Sequence, residues 1–205
     1  GITTHKITIA EEIANSDLYE TLQYPFSYLS SDREIALVNK CKENNIGYIA
    51  MKGLAGGIIN NSKAAYGFMS SFDNVLPIWG IQKESELAEW LSFFDEDVTM
   101  DDEIKEFIAK ERKELALDFC RSFGYCMPCP QGIIINQCAR ISQMIRRAPS
   151  ENWTNEYWQK EMAKVNSCIE CYQCSSKCPY GLDTPKLLKK NLEDFNNIIA
   201  GKTKI

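Results

Sequence analysis

Four cysteines near the carboxyl-terminal end constrain this chain more than any other feature. Cys168, Cys171, Cys174 and Cys178 follow the spacing C-x2-C-x2-C-x3-C, and Pro179 comes directly after the last of them. Three sulfurs at such intervals can surround one iron-sulfur cube, while the fourth ligates the other cluster in two-cluster ferredoxins. Disulfides and structural zinc are weaker alternatives, because cysteines two residues apart are poorly placed to pair and zinc sites usually draw on two distant pairs. The spacing therefore predicts iron-sulfur ligation.

A second, related motif lies 49 residues upstream, where Cys129-Pro-Gln-Gly-Ile matches Cys178-Pro-Tyr-Gly-Leu. In a pseudo-symmetric two-cluster module, each cluster takes three sulfurs from one motif and one from the other. This scheme gives one 4Fe-4S cluster a complete set of four thiols: Cys129, Cys168, Cys171 and Cys174.

The second site on this scheme has only three thiols: Cys120, Cys126 and Cys178. Phe123 stands at the fourth position and cannot ligate iron. We expect this site to hold a 3Fe-4S cluster, a 4Fe-4S cluster with a different fourth ligand, or no cluster. Cys138 lies on a predicted apolar helix and Cys41 ends an ordinary one, so both are interpreted as buried structural thiols.

Composition limits the classes of partner. The 205 residues carry a net charge of −5, and cluster-bound thiolates would add negative charge, so the sequence predicts no nucleic-acid partner. No run of 18 apolar residues and no signal-peptide pattern occurs, so no membrane association is expected. Eight of the nine cysteines fall between residues 120 and 178, which favours reduced thiols in the cytoplasm over a secreted disulfide scaffold.

The first hundred residues alternate short apolar runs with helical patterns. Strands are predicted over residues 22–26, 46–51 and 75–79, and helices over 9–14, 32–43, 62–69 and 84–94. Repeated strand-helix units build parallel sheets with crossover helices. The glycine-rich run at residues 52–57 follows a strand and could approach a phosphate, although a plain strand-to-helix turn is the simpler interpretation.

The pattern changes to mainly helical from residue 99. A charged helix begins near Met100, and further helices are predicted over residues 134–147, 153–165 and 185–199. The aromatic residues of the middle stretch, Trp153, Tyr157 and Trp158, are expected to pack in the interior. The sequence thus predicts an α/β domain over residues 1–98 and a helical cluster domain over 99–205.

Five stretches together resemble the iron-sulfur-containing aldo/keto reductases, which append a ferredoxin-like domain to a (β/α)8 TIM barrel. They are GITTH (1–5), LQYPF (22–26), IAMKGLAGG (49–57), PIWG (77–80) and CMPCPQG (126–132). The resemblance implies that residues 1–98 are the C-terminal half of the barrel, strands five to eight, and that residues 99–205 are a helical dicluster ferredoxin-like domain. The chain would then be a fragment of a longer protein.

The resemblance also implies a cofactor, NAD(P)H, in the longer protein. Thr3, Thr4 and Gln23 would contact the nicotinamide amide, Met51 would lie on the ring, and Leu54, Gly56 and Gly57 would hold the pyrophosphate. This chain departs from the family at Gly53 and Trp79, which replace prolines. It departs again at Glu86 and Trp90, where NADPH-using members place an arginine and an asparagine around the 2'-phosphate.

The same resemblance places the catalytic aspartate, tyrosine, lysine and histidine upstream of residue 1, so this chain has no catalytic residues and should not reduce carbonyls by itself. His5 is expected to be a pocket-rim residue. The favoured hypothesis is an oxidoreductase fragment that carries electron-transfer clusters, with an unidentified redox partner and small-molecule substrate. A half barrel would be open to association with itself or with the missing half. One alternative is a non-enzymatic electron-transfer or redox-sensing protein with a degenerate barrel, and another is a zinc-stabilised helical module.

Overall fold

The computed structural model describes residues 1–115 and 119–205. These residues form two compact units, which divide between residues 117 and 118. Each unit has its own secondary structure and its own core.

The first unit is built on a four-stranded parallel sheet in the described part of the chain. The strands occur in the order in which they follow along the chain: β1 (Ile2–Thr3), β2 (Thr21–Pro25), β3 (Gly47–Met51) and β4 (Val75–Pro77). Helices connect and follow them: α1 (Ile7–Ala14), α2 (Asp32–Glu43), α3 (Ser62–Ser70), α4 (Glu84–Asp95) and α5 (Asp102–Leu115). The predicted repeat of strand and helix is confirmed; membership of a larger barrel stays a prediction.

The sheet has one well-buried face and one more open face. Leu22 pairs in register with Tyr48, and both are at most 1% exposed. The next row pairs Gln23 with Ile49 and Ile49 with Leu76, and Leu76 is 66% exposed. Because successive side chains of a strand point to opposite faces, the apolar interior of this unit lies on the Leu22 face.

Helix α2 begins where the sequence predicts, because its cap is encoded locally. The Ser31 side chain accepts a hydrogen bond from the Glu34 backbone N–H, and the Glu34 carboxylate accepts one from the Ser31 N–H at 2.8 Å. This reciprocal pair satisfies two backbone donors that the first helical turn otherwise leaves unpaired.

Helix α5 belongs to the first unit rather than starting the second. Glu111 accepts a hydrogen bond from the Tyr28 hydroxyl at 3.2 Å, and Arg112 donates to the Tyr28 carbonyl. The sequence places the domain boundary between residues 98 and 99, ahead of this helix, because its charge pattern resembles a connector. The charge pattern of the helix gives no sign of these tertiary hydrogen bonds. The domain assignment stays a prediction.

The second unit consists of short helices and one long one. They are α6 (Ile135–Cys138), α7 (Ile141–Arg147), α8 (Glu151–Thr154), α9 (Glu156–Ala163), a 3-10 helix (Lys164–Ser167), α10 (Gln173–Ser176) and α11 (Thr184–Ile199). The core is apolar and includes Ile133, Ile141, Met162, Leu188 and Phe195. Pro185 lies in the first turn of α11 as predicted, where its missing N–H costs no hydrogen bond.

The prediction of one helix over residues 134–147 is wrong, because the chain breaks between α6 and α7. Asn191 of α11 lies at the break. Its amide donates to the Ala139 carbonyl at 3.1 Å, and its oxygen accepts from the Ser142 N–H at 3.1 Å. A side chain 49 residues away from Ser142 thus provides the hydrogen bonds that a continuous helix would have made.

The prediction of one helix over residues 153–165 is also wrong. Asn155 adopts an extended conformation and caps α9 by accepting a hydrogen bond from the Trp158 N–H at 3.2 Å. Trp153 and Trp158 pack against the core as predicted, whereas Tyr157 is 54% exposed. An asparagine favours a helix N-terminus over a helix interior, and here it starts a new helix.

Within residues 1–115 and 119–205, no helix is long and apolar enough to cross a bilayer.

Candidate iron-sulfur site

A small cavity in the second unit is lined by the four cysteines of the predicted complete site. We call it the Cys168 cavity; its cysteines are Cys129, Cys168, Cys171 and Cys174, together with Cys126. Pro185 and Leu188 of α11 form part of the wall. The two motifs, 39 residues apart from Cys129 to Cys168, therefore meet around one space.

A second small cavity is lined by the three remaining predicted ligands, Cys120, Cys126 and Cys178. We call it the Cys178 cavity. Phe123 also lines it, at the position where the sequence pattern lacks a fourth thiol. Cys126 and Ile135 line both cavities, so the two spaces share a wall.

Phe123 belongs to an aromatic stack on the Cys178 cavity. Its ring lies 5.7 Å from that of Tyr180 with an angle of 19° between the planes. The Arg121 guanidinium lies 3.8 Å from the centre of the Tyr180 ring and 4.6 Å from that of Phe119. A guanidinium over aromatic faces is stabilised by the ring quadrupole, so this stack holds both the cation and Phe123 in place.

Cys120 lies in a polar part of the same wall. Its sulfur accepts a hydrogen bond from the Ser122 N–H at 3.4 Å, and the thiol donates to the Asn136 carbonyl at 3.7 Å. Arg140, only 2% exposed, donates to the Met144 sulfur at 2.7 Å and lowers the pKa of Cys120 by its charge, against the larger raising effect of burial. A buried cation and backbone N–H groups both favour thiolate over thiol.

Burial raises the pKa of two further cavity thiols. It raises the pKa of Cys126 to about 11, with Cys120 adding to the shift, and it raises the pKa of Cys174. The ligand form of cysteine is the thiolate, so these thiols would lose their protons on binding iron, whose positive charge would offset the cost of burying the thiolates.

The two predicted structural thiols lie elsewhere. Cys138 and Cys41 are both fully buried, and neither lines a cysteine cavity. Burial raises the pKa of Cys138 to about 12 and that of Cys41 to about 11. Both are therefore protonated and poorly reactive at neutral pH.

Within residues 1–115 and 119–205, no three cysteine, histidine, aspartate or glutamate side chains converge closely enough to hold one metal ion. The thiols instead surround two cavities. An all-thiol donor set around an apolar space fits a cluster, in which each cysteine binds a different iron.

The residues expected to contact nicotinamide lie together in the first unit. Thr3 pairs with Gln23 in register, the Thr4 N–H donates to the Gln23 carbonyl at 3.1 Å, and the Gln23 amide donates to the Met51 sulfur at 3.7 Å. The neighbouring His5 has its pKa lowered by burial and, to a smaller degree, by the charge of Lys52.

A large open cavity follows the carboxyl ends of β3 and β4 and includes Leu54, Gly56 and Gly57 in its wall. Two features reduce its suitability for an adenosine phosphate. The Glu86 carboxylate in the wall accepts hydrogen bonds from the backbone of Gln82 and Lys83, which holds its negative charge there. Trp79 and Trp90 stack at 4.0 Å, and Trp79 lies so close to Gly53 that a Cβ there would contact its ring at 2.5 Å.

The sequence did not predict Arg121 and Tyr180 as residues of the Cys178 cavity, nor Arg140 as the cation that acts on Cys120. The positions of Arg121 beside Cys120 and Tyr180 two residues after Cys178 were available signals. Arg140 had none, because it lies in the break between α6 and α7, which the sequence does not predict.

Comparison with known proteins agrees with the cavities. Residues 119–183 match the family model of the 4Fe-4S dicluster domain, and all seven predicted ligands fall inside this stretch. No curated protein and no solved structure matches the chain. The chain therefore contains a 4Fe-4S dicluster domain at residues 119–183.

Proposed function

We propose that the chain is an electron-transfer protein with two iron-sulfur clusters, one in the Cys168 cavity and one in the Cys178 cavity. The observation that carries this proposal is that seven of the eight cysteines within the 4Fe-4S dicluster domain line two adjoining cavities. A 4Fe-4S cluster accepts and donates single electrons at a potential set by its ligands and surroundings. The shared wall at Cys126 and Ile135 supports a relay between the two sites.

The protein's own residues differ between the two sites. Cys129, Cys168, Cys171 and Cys174 supply four thiolates to the first. The second site receives only three thiolates, and the apolar ring of Phe123 occupies the position of a fourth ligand. A cluster there keeps one iron without a protein thiolate, so that iron is the one lost most readily on oxidation.

The test is iron and sulfide analysis with electron paramagnetic resonance, on anaerobically purified wild type and a Phe123→Cys variant. Mild oxidation of the wild type should produce a 3Fe-4S signal, and Phe123→Cys should abolish that signal by completing the second set. Cys138→Ala, which alters a thiol outside both cavities, is the control and should leave the spectra unchanged. Retention of two full 4Fe-4S clusters by oxidised wild type would refute the three-thiol site. Absence of iron and sulfide would overturn the function.

A second candidate is the oxidoreductase hypothesis, in which residues 1–98 are half of an aldo/keto reductase barrel that supplies the clusters with electrons from NAD(P)H. It is favoured by one observation, the glycine-lined cavity at the carboxyl ends of β3 and β4, where ligands bind in open parallel sheets. Titration with NADH and NADPH, followed by intrinsic tryptophan fluorescence, tests it. Saturable binding would support it, and tight preference for NADPH would contradict our interpretation of Glu86.

A further inference from the structure

The charge of the chain is divided unevenly between the two units. Residues 1–115 carry 11 lysines and arginines against 20 acidic residues, a net charge of −9. Residues 119–205 carry 12 against 7, a net charge of +5. The overall value of −5 conceals this division, so the charge of the cluster unit has to be considered separately.

One side of the Cys168 cavity opens to solvent. All nine cysteines lie in the described part of the chain, and Cys171 alone among them is exposed. It is flanked by two exposed apolar side chains, Ile169 at 61% and Tyr172 at 50%. Electron transfer requires close approach to the cluster, and an exposed ligand beside an apolar patch offers the shortest approach.

Lysines border this opening. Lys189 of α11 forms an ion pair with Glu170, the residue between Ile169 and Cys171. Lys186, in the first turn of α11, directly follows Pro185 of the cavity wall and is exposed. From Cys168 to Lys190 the chain holds four lysines and two acidic residues. Apart from the exposed Cys171, the cysteines are more enclosed than the lysines, so the surface around the opening carries more basic than acidic charge.

We propose that Ile169, Cys171, Tyr172, Lys186 and Lys189, here called the Cys171 surface, form the docking site for an acidic electron-transfer protein. The proposal rests on the proposed function, because it requires a cluster in the Cys168 cavity. Complementary charge accelerates encounter, and the small apolar centre holds the partner weakly enough to leave after one electron has moved.

The acidic partner is favoured over the alternatives by the composition of the surface. Basic electron carriers would be repelled by the lysines. A tyrosine and an isoleucine at the centre are typical of a protein interface, in which aromatic residues are enriched and the rim is polar.

The experiment measures the rate at which an acidic probe, flavodoxin hydroquinone, reduces the clusters of the full chain in a stopped-flow instrument. The Lys186→Gln, Lys189→Gln double variant removes two charges at the surface. The matched control, Lys202→Gln, Lys204→Gln, removes two charges beyond the other end of α11, which lies about 15 Å along the helix from Lys189. Cluster absorbance of each variant is recorded first.

At low ionic strength the surface variant should react about five- to tenfold more slowly than wild type, and the difference should vanish at high salt. The control should change by less than about twofold. Tyr172→Asn, which keeps a residue tolerant of the positive φ of 57° found there, should lower the rate at every salt concentration. Oxidation of the reduced protein by cytochrome c, a basic probe, should not slow in the lysine variant.

Equal rates for the surface variant and the control, with clusters intact, would overturn the docking site and leave the proposed function standing. Loss of cluster absorbance in wild type would instead overturn the function itself. Two further results would reassign the surface and overturn the proposal. One is salt-dependent binding of labelled duplex DNA that is lost in the lysine variant; the other is a dimer in sedimentation velocity that Tyr172→Asn dissociates.

Discussion

The two units obtain their structure in different ways. In the first, a parallel sheet is covered by helices of 8 to 14 residues, and its core includes Phe26, Tyr48 and Phe68. In the second, four of the helices have only four residues, and seven cysteines line two cavities. Such short helices are marginal in water and depend on tertiary packing. We therefore expect apolar burial to stabilise the first unit, whereas the second unit requires its clusters for stability.

The largest expected effect tests this comparison directly. Removal of iron by a chelator under oxidising conditions should unfold the 119–205 unit, because cluster ligation replaces core contacts that the cavities lack. Structural zinc contributes about 10 kcal/mol or more in comparable small domains. Hydrogen-exchange mass spectrometry should show loss of protection in peptides of α6, α10 and α11, while β2 and β3 remain protected.

The control is the same treatment of a Cys41→Ala variant, whose substitution lies outside the cysteine cavities and should not alter the pattern. Equal loss of hydrogen-exchange protection in β2 and β3 would contradict this difference between the units. Full retention of protection in α11 would also contradict it.

A smaller effect is expected from Asn191→Ala, which removes the side chain at the break between α6 and α7. The variant leaves the Ala139 carbonyl and the Ser142 N–H without their partner, and Asn191 itself is 2% exposed. The free energy of unfolding of the holoprotein should fall by about 2–4 kcal/mol, measured by urea unfolding. Asn196→Ala, at an exposed position of the same helix, should cost less than about 0.5 kcal/mol. Equal costs would show that the break does not depend on Asn191.

The smallest effect concerns the buried thiol of the first unit. Burial raises the pKa of Cys41 from 9.0 to about 11. Below pH 9 the thiol is protonated in both the folded and the unfolded state, so its contribution to the free energy of unfolding is complete. Between pH 9 and 11 the unfolded state releases the proton more readily than the folded state, so the free energy of unfolding falls. The loss should approach about 2–3 kcal/mol by pH 11.

Comparison with a Cys41→Ala variant isolates the contribution of Cys41 ionisation to stability, because the variant and wild type share all other titrating groups. At pH 8 the variant should be about 1 kcal/mol less stable than wild type, owing to the small cavity. Above pH 10 the difference should shrink and then reverse in urea unfolding followed by circular dichroism. Parallel stability curves from pH 8 to 11 would contradict the pKa shift.

Several elements could be predicted because their signals are local. Helix α2 extends over residues 32–43 as expected from the Ser31 and Glu34 cap, and α11 starts within one residue of the expected position at Pro185. The strand-helix repeat of the first unit is equally readable from apolar runs. The grouping of cysteines is a hypothesis from spacing, with which the two cavities agree.

Other features depend on partners distant in sequence. The break at Ala139 and Arg140 follows from Asn191, and the stack of Trp79 on Trp90 joins residues on either side of the β4-α4 turn. The total net charge of −5 conceals the positive net charge of the cluster unit. This uneven distribution is visible in the sequence when the charged residues of each unit are counted separately.

The sequence by itself determined the chemistry of this protein: seven thiols at cluster spacing, with a phenylalanine where an eighth would stand. This is possible because ligand spacing is a local property of the chain. Only the tertiary structure decided which thiols share a cavity, that Cys171 is the exposed one, and that Arg121 and Arg140 lie beside the three-thiol site. Those arrangements arise from the packing of α6, α10 and α11, and packing joins residues whose distance along the chain carries no signal.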